Sequence, residues 1–217
     1  MLSDLLRKVK ANADFRIKLF LLLSLIFNLS YSIFLFILSQ VYFSKWFLVT
    51  SIYHALLSFA RLFMFLQTVI EKQEQKQILI MRDCGYYLLL LNLVVAVMMF
   101  ILIRTTPPVK HHQITVITIA TYTFYTLAIA IISSLKQLKS NNHVYFSVKV
   151  ISLVSASVSM VTLTNTMLAT FGENQTLLRS IILPILSGAV SIFIILCAIF
   201  IIIKANFDLR MMKNEEK

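Results

Sequence analysis

Carboxylates are missing from every long apolar run of this 217-residue sequence. The nine acids, Asp4, Asp14, Glu71, Glu74, Asp83, Glu173, Asp208, Glu215 and Glu216, stand at run boundaries or towards the two ends. Proton- and sodium-coupled carriers often place a carboxylate within the membrane, so coupled cation transport loses weight. Charge of either sign is scarce too, at 13% of residues, about half the fraction usual in a soluble domain. Glycine and proline number three each, which leaves little material for turn-rich or low-complexity segments. The two cysteines, Cys84 and Cys197, lie in or beside different apolar runs without CxxC spacing. They read as small apolar fillers, not as a disulfide framework or a zinc site. No HExxH, GxSxG, Walker loop or DxxD pair is present, and nothing points to a cofactor or a metal.

What the chain has is hydrophobic length. Hydrophobic residues make up 59%, and mean hydropathy is +0.86. A bilayer-crossing helix needs roughly 20 mainly apolar residues, and six segments reach that length, near 19–39, 46–70, 84–103, 114–135, 148–170 and 180–203. Lys45 and Trp46 mark a very tight turn between the first two, and the polar run EKQEQKQ at 71–77 closes the second. Pro107 and Pro108 break the chain after the third; SLKQLKSNNH and FGENQT divide the rest. In lipid at these lengths only helices satisfy their own backbone groups, so the expected class is all-α, a polytopic transmembrane helical bundle. No heptad pattern or tandem repeat is apparent. Three helices per half allow an inverted repeat, but no matching sequence supports one.

Positive charge orients the bundle. The net charge of +11 does not imply nucleic acid, because the bases cluster at the ends of apolar runs. With the N-terminus inside, fifteen face the cytoplasm: Arg7, Lys8, Lys10, Arg16, Lys18, Lys72, Lys76, Arg82, Lys136, Lys139, Lys149, Lys204, Arg210, Lys213 and Lys217. Four face outward, Lys45, Arg104, Lys110 and Arg179. The bias holds across the loops and places both termini in the cytoplasm, with 204–217 as a short tail. It also puts His111 and His112 outside and His143 inside, so they share no metal. The leader, residues 1–18, is basic, and Leu2, Leu5, Leu6 and Val9 recur at helical spacing. It suits a short helix lying on anionic headgroups, with a frayed polar leader as the other reading. The apolar run after it is too long for a cleavable signal, and no A-x-A site follows.

Arg61 and His54 are ionisable residues deep inside the second span, in SIYHALLSFARLF. His54, seven residues before Arg61, returns to nearly the same face, with Ser58 between them. At 1.5 Å per residue Arg61 lies roughly 22 Å along the helix from Trp46. Its candidate partners are Asn28, Asn92, Asn165, a tyrosine hydroxyl or backbone carbonyls, or else an anion, from a lipid headgroup or a bound ligand. In the fifth span Ser152, Ser155, Ser159, Thr162 and Thr166 form one stripe, the pattern of a close helix–helix contact; a hydrated path is the alternative. In the sixth, Pro184 reads as a kink, with Ser187, Gly188 and Ser191 as a close-packing surface. Tyr122 and Tyr125 form a polar-aromatic cluster in the fourth.

The stretches SIYHALLSFARLFMF, CGYYLLLLNLVV, TYTFYTLAIAII and VKVISLVSASVSMVTLTNTMLATFGE resemble a family of multipass membrane proteins of Gram-positive bacteria to which no activity is assigned. The resemblance, over about residues 25–204, implies a bacterial cell membrane and no site residue. The function expected is a non-enzymatic bundle that handles or senses a small or amphiphilic molecule, an anionic one included. A membrane scaffold or accessory subunit, partnered by another membrane protein or a second copy, is the alternative, and an intramembrane enzyme the third.

Overall fold

A computed structural model describes residues 13–70, 74–104, 112–135, 143–171 and 176–215. Within them lie six helices: α1 (Ala13–Val41), α2 (Lys45–Ile70), α3 (Glu74–Arg104), α4 (Gln113–Leu135), α5 (His143–Phe171) and α6 (Thr176–Glu215). There is no strand among the described residues. All six helices are long and apolar enough to cross a membrane. The leader residues 1–12, the Pro107–Pro108 breaker, His111 and residues 172–175 lie outside the described part.

Two helix ends differ from the sequence reading. The third helix starts at Glu74, not near 84, so most of EKQEQKQ is helical. The sixth runs to Glu215, absorbing the tail expected from 204. Both extensions carry good helix formers together with inward apolar residues: Ile78 and Met81 on α3, Ala205 on α6. The two helices pack on each other along their length. Buried Ile78, Met81, Leu88 and Val95 on α3, and Leu183, Val190, Ile194, Ile201 and Ala205 on α6, sit at multiples of three and four residues. That is the spacing of ridge-into-groove packing at a shallow angle, a seam hidden in the sequence by the apolar residues on every other face.

The α1–α2 turn occupies Tyr42–Ser44, and Lys45 and Trp46 already belong to α2. Ser44 N–H reaches back to the Ser39 carbonyl at 3.1 Å, and Tyr42 N–H to Leu38 at 3.0 Å. Phe43 between them adopts the left-handed conformation, φ 47°. The Ser44–Ser39 bond across a left-handed residue is that of a Schellman helix end, with phenylalanine where glycine is usual. It sets the register of the hairpin: Ser32 Oγ donates to the Ser51 carbonyl at 2.8 Å, and Ser51 Oγ to the Ser32 carbonyl at 2.9 Å. Small side chains here let the two backbones approach and bond reciprocally.

Helix α5 is the centre of the bundle, packed on α2, α3, α4 and α6. Near its start His143 Nδ1 lies 3.3 Å from Asp208 of α6, and Lys204 of α6 sits 4.4 Å above the Phe146 ring. α6 passes through Pro184 without a break, losing one rung of its hydrogen-bond ladder there. Gly188 is not a point of close packing, because a Cβ added there would meet nothing within 4 Å. The close approach is instead at Gly85 of α3. A Cβ at that position would stand 3.2 Å from the Ala198 carbonyl oxygen and 2.6 Å from Ile202 Cγ1.

Candidate functional site

The antiparallel hairpin register brings Arg61 of α2 opposite Ser24 of α1. Arg61 is 3% exposed. Its Nη1 donates to the Ser24 carbonyl at 3.2 Å and also to Ser24 Oγ. Its Nε is buried without a partner. Among the described residues the guanidinium therefore meets neutral oxygens only, while Tyr53, Tyr122 and Tyr125 lie close enough to interact with it electrostatically.

One turn further along α1, Asn28 joins three helices. Its Nδ2 donates to the Ser24 carbonyl at 2.8 Å, and its Oδ1 accepts from Tyr122 of α4 at 2.9 Å and Ser155 of α5 at 3.3 Å. The Ser24 carbonyl thus receives both Arg61 and Asn28. A continuous polar chain runs from Arg61 through Ser24 and Asn28 to Tyr122 and Ser155, touching α2, α1, α4 and α5.

Above it lies an aromatic layer around His54. Tyr31 and Tyr122 stack face to face, centroids 3.5 Å apart. The imidazole stands edge-on to Tyr31 at 4.8 Å, Tyr122 at 5.6 Å and Tyr53 at 5.5 Å. Tyr122 belongs to both layers, its ring against His54 and its hydroxyl on Asn28. Neither nitrogen of His54 has a hydrogen-bond partner, nor do the hydroxyls of Tyr31 and Tyr53. Each buried polar atom left unpaired costs about 1–3 kcal/mol, and here five of them lie within one pair of adjoining layers. Together they offer the Arg61 Nε–H as a donor, an imidazole that both donates and accepts, and two phenol groups that do either.

The sequence candidates divide accordingly. Ser58 lies beside the site but donates to the His54 carbonyl of its own helix at 2.9 Å. Asn92 does not join Arg61: it sits on α3 and accepts from Ser191 of α6 at 2.9 Å, because α3 pairs with α6. Asn165 is buried, yet ten residues beyond Ser155 on α5 it is roughly 15 Å up the helix, away from the Arg61 end. The stripe of Ser152, Ser155, Ser159, Thr162 and Thr166 is buried throughout. Four of its hydroxyls return to carbonyls four residues back, and only Ser155 reaches across, to Asn28. Thr123 of α4 completes the contact by donating to the Ser159 carbonyl at 3.3 Å. Tyr125 is half exposed and packs on Phe27 at 4.8 Å. Ser24, Tyr31 and Tyr53 belong to the site without having stood out in sequence. Serine and tyrosine are ordinary in a span until a neighbouring helix is known.

Compared with known proteins, the chain matches no family model, no curated protein and no solved structure. What the site does therefore rests on its own geometry.

Proposed function

We propose that this chain is a non-enzymatic membrane protein that binds a small or amphiphilic molecule with an anionic head, as its carrier or sensor, between α1, α2, α4 and α5. The observation that carries the reading is Arg61: a buried guanidinium held by neutral oxygens, with Nε unpartnered, beside a histidine partnered at neither nitrogen. An uncompensated cation in a low-dielectric interior costs several kcal/mol even after relaxation. An anionic head offsets that cost, and the tyrosine rings provide an apolar wall for its body. The fifteen-to-four bias of basic residues supports an orientation with both termini cytoplasmic. The resemblance of four of its spans supports a bacterial cell membrane.

The reading is tested by native mass spectrometry of the purified full chain and its Arg61→Gln variant in the same neutral detergent. An anionic adduct that stays with the wild type and is lost from a monodisperse variant is the expected result. Identical spectra, or a wild type that carries no anion after mild extraction, would reject it.

A further inference from the structure

A cleft of about 250 Å³ opens between α2 and α3, floored by Ile151 of α5. Its walls, Phe59 and Phe63 on one side and Ile80 on the other, are apolar, and both phenylalanines face outward. The cleft is separate from the Arg61 site. Ala60 lines it, and successive residues on a helix diverge by about 100°, so the side chain after Ala60 is turned to α1. Tyr87, deeper in the cleft, has its hydroxyl committed to the Leu56 carbonyl at 2.7 Å. Among the described residues one charged side chain lines the cavity, Asp83, which is 55% exposed. It is paired, among the described residues, with the adjacent Arg82, whose Nε lies 3.9 Å away, at the outer limit of an ion pair, and neighbours in a helix do not face each other. Asp208, another acid within a described helix, is engaged by His143. An apolar slot thus ends in a carboxylate without a well-placed counter-ion among the described residues, in a chain that is otherwise strongly basic.

We infer that this cleft is a second binding site, for a single-chain amphiphile bearing an ammonium head, with its chain between Phe59, Phe63 and Ile80 and its head on Asp83. Volume and charge together select that occupant. The cavity is smaller than the roughly 300–1,000 Å³ of drug-sized pockets, so it holds one alkyl chain or a small ring. An amine-headed phospholipid fits less well, because its phosphate would follow its amine to the carboxylate and meet it with like charge. A simple lipophilic ammonium has no such second group, and its approach pairs two opposite charges at a rim of reduced polarity.

The test uses the full chain in phosphatidylcholine nanodiscs and compares decylammonium with decanol, which share a chain and differ in head. Decylammonium should raise the unfolding temperature of the wild type and decanol should not. Asp83→Asn should need about fivefold more decylammonium for the same rise, the worth of one partly exposed ion pair. Asp83→Glu should keep the wild-type response, and Arg61→Gln should keep it too, which separates this site from the one proposed above. Equal responses to the two probes, or an Asp83→Asn variant that responds like the wild type, would overturn the assignment.

Discussion

Arg61 of α2 ends on Ser24 of α1, thirty-seven residues earlier in the chain, and uses both its carbonyl and its hydroxyl oxygen. Nothing about residue 24 in isolation marks it as the partner of a cation. The pairing follows from the three-residue turn at Tyr42–Ser44, which fixes the hairpin register, and from the reciprocal Ser32–Ser51 bonds that hold it. Both Ser24 partners of Arg61 are neutral oxygens, so the contacts offer the guanidinium dipoles and no counter-ion.

Asn28 should be the keystone of the polar chain. Asn28→Leu removes two hydrogen bonds that link α1 to α4 and α5, and a third within α1 to the Ser24 carbonyl. At somewhat over half a kcal/mol for an average interhelical bond in a membrane protein, the expected loss from the two is about 1 kcal/mol. A double-mutant cycle with Tyr122→Phe, read by reversible unfolding in detergent, should show the two losses to be non-additive. Full additivity would mean that the Tyr122–Asn28 bond contributes nothing.

The glycines give opposite expectations. Gly85→Ala places a methyl against the Ala198 carbonyl and Ile202 and should push α3 from α6, lowering the unfolding temperature of the solubilised protein. Gly188→Ala meets open space and should be neutral or stabilising, by up to about 1 kcal/mol of helix propensity. The reverse order of the two variants would contradict the α3–α6 contact.

The six spans were legible because apolar length is a local property, and no neighbour is needed to see that 19–39 or 148–170 fits a bilayer. Arg61 and His54 were legible for a similar reason, since ionisable residues are conspicuous among apolar ones. The pairing of helices was not legible. Asn92 and Asn28 look equally good as partners for Arg61 until α3 is found on α6 and α1 on α2. The starts and ends of helices were misjudged where polarity rises without helicity falling. At 74–83 the glutamines, Lys76 and Arg82 suggest a loop, yet Ile78 and Met81 are buried one turn apart. Gly188 looked like the packing glycine because it follows Pro184, whereas Gly85 sits in an unremarkable CGYY run.

The hydroxyl stripe should resist enlargement. Ser159 is fully buried and its carbonyl accepts from Thr123 of α4. Ser159→Leu should therefore cost about 1–3 kcal/mol through overpacking. Met160→Leu, one residue on and facing outward, should cost little. Equal unfolding temperatures for the two variants would argue against a packed α4–α5 contact.

Orientation is checked by thiol labelling of intact cells. Cysteines placed at Lys110 and Asn174 in a background lacking Cys84 and Cys197 should react with an impermeant reagent. One placed at Lys139 should not. Labelling at 139 alone would invert the proposed topology.

The most direct test of the central claim is the unfolding temperature of wild type, Arg61→Gln and Arg61→Lys in nanodiscs, each with and without decanoate, a small amphiphile with an anionic head. A ligand at a hundredfold excess over its Kd stabilises by about 2.7 kcal/mol. The account predicts a clear rise for the wild type, none for a folded Arg61→Gln, and only partial recovery for Arg61→Lys, which lacks the planar guanidinium fork. A decanoate response that survives unchanged in Arg61→Gln, or a wild type that does not respond while Arg61→Gln unfolds at a lower temperature, would contradict it and leave Arg61 a structural tie to Ser24.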